Sequence, residues 1–260
     1  MPFTDTPGAR LYWKRDGRDD APALVLLNSI GTDMDLWDGV LPFLREDFAL
    51  LRMDTRGHGA SLAAAGDYSL AMLADDVLAV ADAAGLGRFA LAGVSLGGMT
   101  AMELALRAPE RISHLALICT SATMDAASWN DRIAKVRAEG MAAIADLAMG
   151  RFLSDAAAPT NFESVRRQLL TMDPQGYAGC GAAIRDMDLA RRIAGIACPA
   201  LVITGTRDTS TPLAGHGEHL LAHIPGAEHR SLEAAHLAPL EAPEALAGAL
   251  HSFLRVQHHG

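Results

Sequence analysis

Short apolar runs alternate with longer amphipathic stretches through most of this chain, and that alternation narrows its possible folds more than any other feature. The runs "ALVLLNS", "FALLRMD", "RFALAG", "HLALICTS", "ALVITG" and "AEHRSLEAA" read as strands. Between them, residues 69–85 ("SLAMLADDVLAVADAAG") keep a helical period with a serine at the N-cap position and a terminal glycine, and "LGGMTAMELALRAPE" reads as a helix closed by Pro109. Strand and helix in turn imply an α/β fold, a mainly parallel central sheet with helices on both faces. Ahead of this pattern, "ARLYWKRDG" reads as one arm of an antiparallel opening hairpin, with its turn at Asp16-Gly17.

The rhythm stops between residues 121 and 196, where no strand candidate occurs and helix formers, Gly, Pro and Met are abundant. An insertion between consecutive strands commonly covers a site. We therefore expect a core formed by residues 1–120 and 197–260 and an inserted helical cap formed by residues 121–196. The core closes with an amphipathic helix in "EAPEALAGALHSFL", and "VQHHG" reads as a loose tail. With 260 residues, half of them apolar, the chain can bury a core of that size.

Several function classes are disfavoured by composition. The longest apolar runs fall far short of the roughly 20 residues that span a bilayer, so no membrane crossing is expected. The opening "MPFTDTPGAR" has neither a basic stretch nor an apolar core, which points to the cytoplasm. Cys119, Cys180 and Cys198 are an odd count without CxxC spacing, which argues against a disulfide framework and against a zinc knuckle. A net charge of −9 with no basic stripe gives nucleic acid nothing to bind.

In "AGVSLGG", the sequence Gly93-Val94-Ser95-Leu96-Gly97 lies between a buried-strand run and a helix, the context a nucleophile elbow requires. A serine can be held exposed on so sharp a turn only if the residues two before and two after it are nearly free of side chain. Ser95 also needs a base, and the base needs a carboxylate that fixes its tautomer. In this architecture the chain order is Ser, Asp or Glu, then His. Asp208 stands just past the strand "ALVITG", and His236 follows the final strand in "EAAHLAPLEAPE", so both fall at the same end of the sheet as Ser95. Asp54 precedes the serine and reads as a structural turn residue. His219 and His223 are four apart, but Glu218 precedes His219 and no third ligand is evident, so no metal is expected. Backbone N–H groups of Leu96 and Ile30 are the candidate oxyanion donors, with Ser29 second to Ile30. This chemistry needs no cofactor.

Ser95, Asp208 and His236 in this order resemble the α/β-hydrolase superfamily. The stretches "LLNSIGTDMDLWD", "DTRGHGAS", "GVSLGGM", "SWNDRIAKVRAEGM", "GYAGCGAAIRDMDL" and "AAHLAPLEAPEAL" are together similar to the 3-oxoadipate enol-lactonases of bacterial aromatic breakdown. The resemblance implies that Ser95 attacks the carbonyl of a small, carboxylated enol-lactone in the protocatechuate branch of the β-ketoadipate pathway. A cation must then meet the substrate carboxylate, and Arg132, Arg137, Arg151 and Arg185 are all eligible on sequence grounds. The resemblance favours Arg132, with Trp129 as a shaping wall. Two departures, Gly-Arg-Phe at residues 150–152 where an aromatic usually precedes the Phe, and Gly181 where a second Cys is common, leave a related lactone or ester open. Carbon–carbon bond hydrolases, broad esterases and perhydrolases would use the same three residues, and a non-catalytic binding protein of the same fold is a further alternative.

Overall fold

The computed structural model describes residues 3–255. Its strands are β1 (Phe3–Thr6), β2 (Ala9–Gly17), β3 (Ala23–Leu27), β4 (Ala49–Met53), β5 (Leu62–Ala63), β6 (Phe89–Val94), β7 (Ile112–Ile118), β8 (Ala200–Gly205) and β9 (Glu228–Leu232). They form one sheet in the order β1-β2-β4-β3-β6-β7-β8-β9, with β5 paired to β2. From β4 to β9 every pairing is parallel. All residues of β4, β6 and β8 are buried, as strands covered on both faces must be.

The helices are α1 (Leu41–Leu44), α2 (Leu70–Ala83), α3 (Leu96–Arg107), α4 (Ala126–Glu139), α5 (Ala145–Phe152), α6 (Pro159–Thr171), α7 (Pro174–Arg185), α8 (Glu218–His223), α9 (Ala238–Glu241) and α10 (Pro243–Arg255). Ser69 caps α2 by accepting the Met72 N–H at 3.2 Å. Four of these helices, α4 to α7, lie between β7 and β8, where no strand occurs among the described residues. The tail expected at residues 256–260 lies outside the described residues.

The opening hairpin differs from expectation. It turns at Pro7-Gly8, with Phe3 opposite Tyr12 and Thr6 opposite Ala9, and not at Asp16-Gly17. Asp16 and Gly17 continue β2, opposite Leu50 and Ala49 of β4. Gly17 takes φ +78°, and a Cβ there would collide with the Phe48 carbonyl, so this glycine serves a close backbone approach. Asp16 instead meets the buried Arg52 guanidinium at 2.9 Å, and Asp38 takes the other side of it at 2.6 Å.

Strand order reverses between β3 and β6, and a crevice opens at such a switch beyond the carboxyl ends of the strands. The segments after β3, β6, β7, β8 and β9 all emerge at that edge. In the helical insertion, α7 meets the segment after β4 through glycines. Gly176 and Gly57 approach so closely that a Cβ on either would strike the other's backbone, and Gly179 accepts the Tyr68 N–H at 3.1 Å.

Candidate active site

Ser95 occupies the single residue between β6 and α3, with φ 54° and ψ −114°, a conformation L-residues rarely adopt. The turn closes because three neighbours lack side chains. A Cβ on Gly93 would collide with the Gly97 backbone, one on Gly97 would lie 2.6 Å from the Leu27 carbonyl, and one on Gly98 would lie 2.7 Å from Thr120 Cβ. The Ser95 peptide groups are held independently of its hydroxyl. Its N–H donates to the Ile118 carbonyl at 3.0 Å, and its carbonyl accepts from Met99 N–H at 3.0 Å and Thr120 Oγ1 at 2.6 Å.

Asp208 and His236 meet although 28 residues separate them, because β8 and β9 are adjacent parallel strands. His236 Nδ1 lies 3.0 and 3.1 Å from the two Asp208 oxygens. The carboxylate also accepts the N–H groups of Ser210 at 2.7 Å and Thr211 at 3.1 Å, and the Thr211 hydroxyl at 2.8 Å. Burial pushes this carboxyl upward, but the His236 charge and these hydrogen bonds outweigh it and hold the group at about 2. A permanently ionised Asp208 fixes the imidazole with Nδ1 towards it and leaves Nε2 for proton transfer.

Ser95 and His236 line one narrow cavity together with Ile30, Met99, Met124, Phe152 and Ile184. No hydrogen bond joins the two side chains in this structure, and unliganded sites often keep that contact loose until substrate binds. Leu96 opens α3, so its N–H has no intrahelical partner. Ile30 follows Ser29, whose carbonyl accepts Thr32 N–H at 3.2 Å and Thr32 Oγ1 at 2.9 Å. In a trans peptide the Ile30 N–H must then point the opposite way.

The four candidate arginines separate cleanly. Arg137 and Arg185 both pair with Asp67 on the outer surface. Arg132 and Arg151 line the cavity, and among the described residues neither has a carboxylate partner. Arg132 lies one turn beyond Trp129 on α4 and stacks over its indole at 4.5 Å. Behind them Tyr177 is fully buried; burial pushes its phenol up, and the charges of Arg132 and Arg151 oppose that push. Gly181, a departure in the sequence, packs against Ile133 and Trp129, with a Cβ there only 3.0 Å from Ile133 Cγ1. Sequence reasoning did not single out Met99, Phe152, Thr211 or Ile184. Their only signal was apolar or polar character at elements that converge in space.

His219 and the nearby His216 have other partners. His216 Nδ1 meets Ser121 Oγ at 2.8 Å, and His219 Nε2 meets the Ala190 carbonyl at 3.0 Å. Among the described residues no group of His, Cys, Asp and Glu is arranged to hold a metal ion. Cys119, Cys180 and Cys198 are all free thiols. No helix among the described residues is long and apolar enough to cross a membrane.

Residues 22–243 match the family model described as alpha/beta hydrolase fold. The chain is 32% identical to 3-oxoadipate enol-lactonase 2 of Acinetobacter baylyi, over 97% of each chain. Among solved structures, a hydrolase from Pseudomonas aeruginosa superposes with TM-score 0.92 at 43% identity, over 97% of each chain. The enol-lactonase from Burkholderia xenovorans superposes with TM-score 0.94 at 36% identity, over 97% of this chain and 99% of that one.

Proposed function

The chain belongs to the α/β-hydrolase family, and from that premise we propose that it is a serine hydrolase which opens a small carboxylated lactone, 3-oxoadipate enol-lactone, to 3-oxoadipate. The observation that carries the substrate class is the pair of guanidiniums, Arg132 and Arg151, lining the same cavity as Ser95 and His236 with no carboxylate among the described residues to neutralise them. A site that leaves two cations unpaired beside an apolar wall is suited to an anionic ligand. The likeness to two enol-lactonases supports the same choice.

In this reading Ser95 Oγ attacks the lactone carbonyl while His236 Nε2 takes its proton. Asp208 stabilises the imidazolium. The N–H groups of Ile30 and Leu96 receive the oxyanion. Collapse of the tetrahedral intermediate breaks the ring C–O bond, and the departing enolate takes up the proton held on His236 Nε2 and becomes the ketone. His236 then activates water against the acyl-enzyme, and Ser95 regains its proton. Helices α4 to α7 act as a cap, Trp129 shapes the apolar wall, and no cofactor enters. In this reading the reaction belongs to the protocatechuate branch of the β-ketoadipate pathway and runs in the cytoplasm.

The test compares kcat/KM for 3-oxoadipate enol-lactone, a neutral lactone of equal ring size and a simple aryl ester. A strong preference for the first is expected. Comparable rates on all three would make the protein a broad esterase, and no turnover together with no reaction of Ser95 with an organophosphonate would make it a binding protein.

A further inference from the structure

The stretch "DTRGHG" at residues 54–59 takes no part in the triad, yet it contains a histidine that is 1% exposed. His58 Nδ1 lies 3.1 Å from the Arg56 carbonyl, which can only accept a hydrogen bond, so Nδ1 carries the proton. Nε2 therefore offers its lone pair, and it accepts the Gly31 N–H at 3.2 Å. The ring is thus held in one neutral tautomer with both nitrogens engaged. Burial keeps it neutral, with its pKa lowered to about 4.

Gly31 is the residue after Ile30, in the short loop that leaves β3. Within that loop the Ser29 carbonyl accepts the Thr32 N–H at 3.2 Å and Thr32 Oγ1 at 2.9 Å, and Gly31 takes φ +83°. The neighbouring "DTRGHG" segment adds two anchors. Thr55 Oγ1 donates to Asn28 Oδ1 at 3.3 Å, and His58 takes the Gly31 N–H. A Cβ at Gly31 would lie 3.1 Å from Leu169 and 3.3 Å from Phe152 of the cap, so the loop is also confined from above. The His58 bond is the one that takes the Gly31 N–H itself.

We propose that His58 is a positioning residue for the oxyanion hole: by accepting the Gly31 N–H it holds the loop so that the Ile30 N–H faces the Ser95 cavity. The inference rests on the reading of Ser95 as nucleophile with Ile30 as an oxyanion donor. Charge on the carbonyl oxygen is full only in the tetrahedral species, so a loosely aimed donor lowers kcat and spares KM. A buried histidine that merely fills space would alter stability and the fraction of folded protein, and leave turnover per active site unchanged.

The experiment uses wild type, His58→Leu, which accepts nothing, and His58→Gln, whose amide can accept at one end and donate at the other. Active sites are counted by reaction of Ser95 with an organophosphonate. For each protein kcat and KM are measured on an aryl ester, together with the affinity for a boronic acid that forms a tetrahedral adduct. His58→Leu is expected to lower kcat per counted site roughly ten- to a hundredfold and to weaken boronic acid binding by a similar factor, with KM little changed and His58→Gln recovering most of the loss. Unchanged kcat and boronic acid affinity in His58→Leu would overturn the proposal while the Ser95 reading stood. Failure of wild type to react with the organophosphonate would remove that reading and the proposal with it. If His58→Leu does not fold, the 15N shifts of the wild-type ring decide the matter: an unprotonated Nε2 coupled to the Gly31 amide supports the proposal, and a protonated Nε2 overturns it.

Discussion

The Phe152 ring lies nearly parallel to the His236 imidazole, 14° between planes with centroids 6.0 Å apart, and the carbonyl of the same Phe152 accepts the Leu237 N–H at 3.0 Å. The helical insertion therefore reaches into the loop that carries His236. Glu241 ties the same two parts together. Its buried carboxylate accepts Ser154 N–H at 2.6 Å, Ser154 Oγ at 2.9 Å and the Ala235 N–H at 3.0 Å. Both backbone neighbours of His236 are thus held by groups that also hold the cap.

Replacing Glu241 by Gln should cost on the order of 2 kcal/mol of stability and lower kcat. The amide NH2 must face the Ser154 or Ala235 N–H, donor against donor, and a buried donor is left unmade. Urea unfolding and steady-state rates check both parts; unchanged values for both would show that the clamp is dispensable.

Ser95→Ala should reduce hydrolysis of an activated ester by at least about a thousandfold, because the residual oxyanion donors cannot replace the nucleophile. Ser95→Gly should be equally inactive yet more stable than Ser95→Ala by on the order of 1 kcal/mol, since glycine adopts φ 54° without strain. Thermal melts of the two variants side by side measure that difference.

Truncation of the cavity arginines should separate substrates by charge. Arg132→Ala or Arg151→Ala is expected to raise KM for the enol-lactone roughly ten- to a hundredfold, the worth of one charge-assisted hydrogen bond, and to leave KM for a neutral aryl ester nearly unchanged. An unaltered enol-lactone KM in Arg132→Ala would remove that residue from substrate binding.

Stability should pass through a maximum in mild acid. Asp208 is held at about 2, below the ordinary carboxylate value of 3.8, so its contribution is complete above about 4 and is lost as pH falls towards 2. Asp54 has the opposite sign. Burial raises it to about 6 against the hydrogen bonds it accepts from Ala60 and Met34, so the folded state retains its proton and stability declines as pH rises from about 4 through 6. Denaturant unfolding across pH should show that decline in wild type and a flatter profile in Asp54→Asn.

Most of the fold was legible because its causes are local. The buried-strand runs, the Ser69 cap and the Gly93, Gly97 and Gly98 requirement all act within a few residues of each other, and β3, β4, β6, β7, β8 and β9 fall on the runs named for them. The hairpin was misplaced because an Asp-Gly pair carries the same local signal whether it turns or, as at Gly17, permits a close crossing. Strand β1, with only four half-exposed residues, has no apolar run to announce it.

The order of Ser95, Asp208 and His236 along the chain was sufficient to nominate them, since parallel strands deliver their following loops to one edge whatever lies between. Which arginines face the cavity was not decidable from sequence. All four lie on helices of the insertion, and only the way these helices pack, with Asp67 pairing Arg137 and Arg185, leaves Arg132 and Arg151 lining the cavity. The pinning of Gly31 by His58 belongs to the same class, a contact across 27 residues that no local period encodes. Sequence by itself determined the α/β alternation, the elbow and the candidate nucleophile, acid and base, because short-range sterics dictate them. The tertiary structure decided the cavity wall, which cavity arginines lack a carboxylate among the described residues and the pinning of Gly31, because those depend on which surfaces meet when the sheet and the helical insertion close together.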